Sequence, residues 1–218
     1  MPILYVIAGP NGIGKTTSSY DLVPQNTPLI NSDEIAKEAR TSGIVLVNTQ
    51  EYSNQEALRL VNEQLEGRNS FAIETNLSDR ETWKFLLGVQ QIGYEIHLFY
   101  ISTDNIELLN TRITERTRLG DHYVRPDIVE QRYTAGLNLL NHYFVEPDVL
   151  ELLDNSKSMT LMAEIRKGEV LYLSQSLPEW ISKHFFSYLK EGPKEQTNAR
   201  SLDTLDEVRK MYDRLKKK

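Results

Sequence analysis

Residues 9–16 read Gly-Pro-Asn-Gly-Ile-Gly-Lys-Thr and satisfy the spacing G-x-x-x-x-G-K-[ST]. In that pattern backbone N–H groups wrap phosphate oxygens, and the helix that follows turns its positive end toward them. Lys15 stands where it can reach the β- and γ-phosphates of ATP, and Thr16 where its hydroxyl can bind the Mg²⁺ that bridges them. The bland alternative is a chance match in a turn, and the apolar run before the loop argues against it. The candidate nucleotide-binding residues are Gly9, Pro10, Asn11, Gly12, Ile13, Gly14, Lys15, Thr16 and Thr17, with Thr16 as the candidate metal ligand. The loop alone does not define a reaction. The chain has no LSGGQ-like signature, no apolar strand ending in adjacent Asp-Glu and no NKxD guanine-reading motif, which leaves a small-molecule kinase as the simplest reading.

A kinase also needs a carboxylate within reach of the attacking hydroxyl. Asp33, in Asn31-Ser32-Asp33 after the second apolar run, is the candidate base; the alternative is that Ser32 or Asp33 only caps a helix beginning at Glu34. Glu74-Thr75-Asn76 ends a further run, so Glu74 and Asn76 are candidate substrate contacts or else a polar strand end. Arg80, just beyond, either adds a positive contact or faces water.

Arg112 and Arg116 share a helix face at i,i+4, and Arg118 and the loop Gly120-Asp121-His122-Tyr123-Val124-Arg125-Pro126 follow. This segment reads as a lid. Arg116 and Arg125 are candidate catalytic cations for charge on a transferred phosphoryl group, and Arg112 is a candidate nucleotide contact. A solvated face salt-bridged through Glu115 and its neighbours is the competing reading, and Arg132 on the next helix has weaker support. His97, alternating within an apolar run, reads as a core histidine, and no HExxH-like spacing suggests zinc.

The elements that must position these groups alternate. Continuous apolar runs at 3–8, 28–31, 70–74, 95–101 and near 148–153 predict five strands, with helical periodicity between them at Leu58, Val61 and Leu65, over 79–91 and over 105–118. Residues 158–173 flank Arg166-Lys167-Gly168 too closely for a crossover helix and predict a terminal hairpin. A helix at about 178–190 follows, and Leu205, Val208, Met211, Tyr212 and Leu215 would line one face of a helix over 203–217. The expected organisation is a P-loop kinase domain over 1–190 and a charged tail over 191–218. With no cysteine, no long apolar span and no signal-like start, the cytoplasm is the expected compartment and no membrane is expected. A net charge of −6 disfavours broad attraction to nucleic acid, so the expected polyanion is small.

In combination, GPNGIGKTT, NSDEIA, FAIETNLS, GYEIHLFYIS, RITER, GDHYVRPDIVEQRY and DNS resemble the zeta toxin family over most of residues 3–175. The resemblance implies an ATP-dependent kinase acting on the sugar hydroxyl of UDP-N-acetylglucosamine and held in check by an antitoxin protein. It also implies Lys15 and Thr16 on phosphate and Mg²⁺, Asp33 as general base, Glu74 and Asn76 on the sugar-nucleotide side, and lid arginines on the phosphoryl group. Asn76 stands where a threonine is common in that family. The expected fold is therefore α/β, a P-loop NTPase of the nucleoside-monophosphate-kinase type, with a mainly parallel five-stranded sheet, helices on both faces and a C-terminal β-hairpin. Two rivals stand beside the sugar-nucleotide reading: a kinase of another nucleotide or small metabolite, and a nucleotide-dependent regulatory protein without turnover.

Overall fold

The computed structural model describes residues 1–42, 48–118 and 123–191. One seven-stranded sheet has the order β2-β3-β1-β4-β5-β6-β7. Strands β1 (Ile3–Ala8), β2 (Leu29–Ile30), β3 (Phe71–Thr75), β4 (Glu95–Ser102) and β5 (Val149–Asp154) are parallel, and β6 (Thr160–Arg166) and β7 (Glu169–Leu173) add an antiparallel hairpin at the β5 edge. The alternation and the terminal hairpin are those that the apolar runs predict, and the architecture is the P-loop kinase-like one expected from the phosphate-loop motif and the resemblance. The hairpin turns at Lys167 and Gly168, both with positive φ (47° and 80°), the combination a tight two-residue turn requires.

Buried strands put alternate side chains on opposite faces, which explains why their apolar runs are continuous. From β1, Leu4, Val6 and Ala8 enter one core with residues of helices α3 (Thr49–Gly67), α4 (Arg80–Gln91), α6 (Pro126–His142) and α7 (Glu179–Glu191). Tyr5 and Ile7 enter the other, with residues of α5 (Ile106–Arg118) and Val23, which follows α1 (Lys15–Leu22). A single strand thus anchors both layers.

The chain crosses from β1 to neighbours on both sides, β3 and β4, and at such a switch point the carboxyl ends of parallel strands open a crevice for ligands. The phosphate-loop motif leaves β1 there, Glu74-Thr75-Asn76 ends β3 there, and α2 (Ser32–Thr41) starts there one residue after β2. Among the described residues no helix is long and apolar enough to cross a membrane. The predicted 203–217 helix and the lid residues Gly120, Asp121 and His122 lie outside the described residues.

Candidate active site

The loop 9–16 is shaped by close approach. Gly9 has φ 137°, and a Cβ on it would lie 2.1 Å from the Ile101 carbonyl oxygen of β4, so only glycine fits against that strand. At the loop's end Lys15 begins α1 and is only 8% exposed. All three donors of its ammonium are taken, by the Gly9 carbonyl (2.9 Å), the Pro10 carbonyl (3.1 Å) and Asn76 Oδ1 (3.2 Å). Burial holds its pKa below the ordinary lysine value; Glu74 and Asp33 pull it back up, and Arg116 and Arg132 push it further down. Two carboxylates and two guanidinium groups therefore share the field of this one cation.

Glu74 touches the phosphate-loop side directly. Its carboxylate accepts from the Thr16 hydroxyl at 3.1 and 3.0 Å and from Asn31 Nδ2 at 2.9 Å. Asn76 likewise bonds Lys15. Both residues, expected on the acceptor side, bond the phosphate loop and also line the cavity in front of it. The pairing of a hydroxyl and a carboxylate oxygen suits a hard cation that takes its remaining ligands from phosphate and water. Among the described residues no group of three His, Cys, Asp or Glu side chains converges as a metal cage, and a phosphate-bridging Mg²⁺ does not require one.

Neither Ser32 nor Asp33 is the helix cap. Asn31 caps α2, its Oδ1 accepting from the backbone N–H of Asp33 (2.9 Å) and Glu34 (3.4 Å), so the helix begins two residues earlier than expected. Capping thus falls to Asn31 and leaves the Asp33 side chain exposed, lining two adjoining cavities of about 580 and 140 Å³. The larger is walled by the phosphate loop, the end of β3, the start of α3 and the segment entering α6. Asp33, Lys15, Thr16, Arg116, Arg125 and Arg132 all line it.

The arginines separate by environment. Arg116 lines both cavities. Arg125 is 67% exposed and binds Asp127 through Nε (3.0 Å) and Nη2 (2.5 Å). Arg112 donates to the Asn155 carbonyl at 3.2 Å, away from the cavity walls. Arg132, which sequence reasoning ranked below the others, donates to Asn11 of the phosphate loop at 3.0 Å across 121 positions, a contact with no local signal. Arg80 opens α4 in solvent and lines neither of these two cavities. Gln50 and Asn54, on the first turns of α3 and joined at 3.0 Å, were not foreseen and face the same cavity.

A family profile, AAA_33, described as AAA domain, matches residues 4–138, from β1 into α6. The chain belongs to this AAA domain family. Its matched region holds the phosphate loop, Asp33, Glu74 and the arginines. An uncharacterized protein of Haemophilus influenzae is 27% identical over 125 residues, 57% of this chain and 88% of that protein. Among solved structures, the AvrRxo1-ORF1:ORF2 complex with ATP is similar with a TM-score of 0.63 at 16% identity, over 78% of this chain. The chain spans only 60% of the length of that protein. A structure from the PezAT chromosomal toxin-antitoxin system of Streptococcus pneumoniae is similar with a TM-score of 0.55 at 17% identity, covering all of this chain and 88% of that one. At these identities the likeness is one of fold: a P-loop domain of the kinase type.

Proposed function

We propose that this AAA domain protein is an ATP-dependent kinase that transfers the γ-phosphoryl group to a hydroxyl of a small acceptor. The observation that carries this reading is the presence of Asp33 on the same cavity as Lys15 and Thr16, with Arg116 on its wall. A protein that only binds nucleotide has no need of that carboxylate. Lys15 and the backbone of residues 9–16 would hold the phosphates, and Thr16 with Glu74 would hold Mg²⁺, which when bound would supply positive charge to the phosphate oxygens. Asp33 would orient the acceptor hydroxyl and take its proton. Arg116, with Arg125 and Arg132 nearby, would neutralise charge on the equatorial oxygens of the moving phosphoryl group.

The acceptor wall, with Gln50, Asn54 and Asn76, is rich in side-chain amides, which can bond several hydroxyls at once. A sugar suits this wall, and the resemblance to zeta toxins supports a UDP-activated amino sugar such as UDP-N-acetylglucosamine, with another nucleotide or metabolite as rival acceptor. Fold similarity to a toxin-antitoxin structure supports an antitoxin protein as a partner. Incubation with γ-labelled ATP and a panel of UDP-sugars, nucleosides and aminoglycosides tests the proposal. Label on a sugar hydroxyl is expected, and label on no small molecule contradicts it.

A further inference from the structure

The Asp154-Asn155-Ser156 turn has no role in the chemistry above, yet each of its three residues is hydrogen-bonded to groups on other elements or within the turn. Asp154, 9% exposed, accepts from Trp180 Nε1 (3.0 Å), from the Ser156 backbone N–H (3.0 Å) and from the Ser156 hydroxyl (3.2 Å). Ser156 Oγ meets Thr103 Oγ1 at 2.7 Å. Asn155 sits between them with its own backbone fixed: its N–H donates to the Ser102 carbonyl at 2.9 Å, and its carbonyl accepts from Arg112 at 3.2 Å. Strand ends β4 and β5 and helices α5 and α7 thus hold one asparagine in place.

That asparagine reaches the phosphate loop. Its Nδ2 donates to the Ile13 carbonyl at 2.7 Å, across 142 positions. The same nitrogen would stand 3.0 Å from a Cβ on Gly14, whose φ is 96°, so the asparagine packs against the loop at one of its positive-φ positions. In a trans peptide the C=O of one residue and the N–H of the next point in opposite directions. Holding the Ile13 carbonyl therefore also fixes the direction of the Gly14 N–H, and backbone N–H groups held in a fixed direction are what a phosphate loop offers its ligand.

We propose that Asn155 is a positioning residue of the phosphate loop, holding the Ile13–Gly14 peptide in the orientation that binds nucleotide phosphate and, through Arg112, tying that peptide to the helix that carries Arg116. This rests on the kinase reading. The test is calorimetric binding of Mg²⁺-adenosine 5′-(γ-thio)triphosphate to the wild type, Asn155→Ala and Asn155→Asp, with thermal melting of each and steady-state kinetics at varied ATP. Ala deletes the donor, and Asp sets an acceptor against a carbonyl. Nucleotide affinity should fall about tenfold for Ala and further for Asp, as loss of one hydrogen bond and then its inversion would do. ATP KM should rise in parallel while kcat at saturation stays within a few-fold. Variants that bind like the wild type, or that lose kcat with KM unchanged, overturn the proposal. A wild type that binds no nucleotide fails the kinase reading instead and takes the proposal with it. Should Asn155→Asp not fold, Asn155→Ala carries the same test alone.

Discussion

The hydroxyl of Thr16 lies 3.1 Å from Oε1 and 3.0 Å from Oε2 of Glu74, although the two residues are 58 positions apart. The contact joins the start of α1 to the end of β3 and sets a carboxylate beside the residue that the loop motif assigns to the metal. Glu74→Gln keeps the shape and removes the charge. The Mg²⁺ concentration for half-maximal nucleotide binding should rise about tenfold or more, as for other groups that support a metal site. A Mg²⁺ titration of nucleotide binding checks this. Unchanged Mg²⁺ dependence with a raised acceptor KM would return Glu74 to the acceptor side.

Arg116 and Arg125 line the same cavity but are not equivalent. Arg116 acts on the charge of Lys15, whereas the Arg125 guanidinium is engaged by Asp127 in solvent. Arg116→Ala should lower kcat by about 10²-fold or more with a smaller change in ATP KM, and Arg125→Ala should cost less. Lysine at position 116 should rescue only in part, because it keeps the charge without the planar fork of donors. Steady-state kinetics with kcat and KM read separately decide the matter. Two variants with unchanged kcat would remove these arginines from the chemistry.

Much of the framework is legible in the sequence because its signals are local. The phosphate loop is eight adjacent residues, and the five parallel strands announce themselves as short apolar runs because both faces of each are covered. The hairpin follows from its short connection. What the sequence leaves open depends on partners far along the chain. Asn31 takes the capping role because its side chain, and not that of Ser32 or Asp33, reaches forward to accept from free N–H groups in the first turn of α2. Glu74 and Asn76 read as acceptor contacts by their place at a strand end, and only the packing of β3 against β1 reveals their bonds to Thr16 and Lys15. Arg132 and Asn155 meet the phosphate loop across 121 and 142 positions.

Away from the site, Glu151 and Glu164 face each other in register on β5 and β6. Burial, with the Glu164 charge added, raises the Glu151 pKa, and Arg166 offsets this in part. A carboxyl whose pKa is raised on folding binds more protons in the folded than in the unfolded chain just above its ordinary value, so stability is lost as pH rises through that window. Glu151→Gln should therefore melt higher than the wild type at neutral pH, by the equivalent of about 0.5 kcal/mol after solvent screening, with the gain gone below about pH 4. Thermal melts across pH check it. A gain that persists in acid would assign the effect to packing instead.

The most direct test of the whole account is transfer from γ-labelled ATP by the wild type and by Asp33→Asn, per folded molecule and with nucleotide affinity measured alongside. The placement of Asp33 on the cavity it shares with Lys15 and Thr16 predicts that the wild type labels an acceptor hydroxyl. It also predicts that the variant does so about 10²–10⁴ times more slowly, while its affinity for ATP stays within a few-fold. An unchanged rate in Asp33→Asn would contradict it.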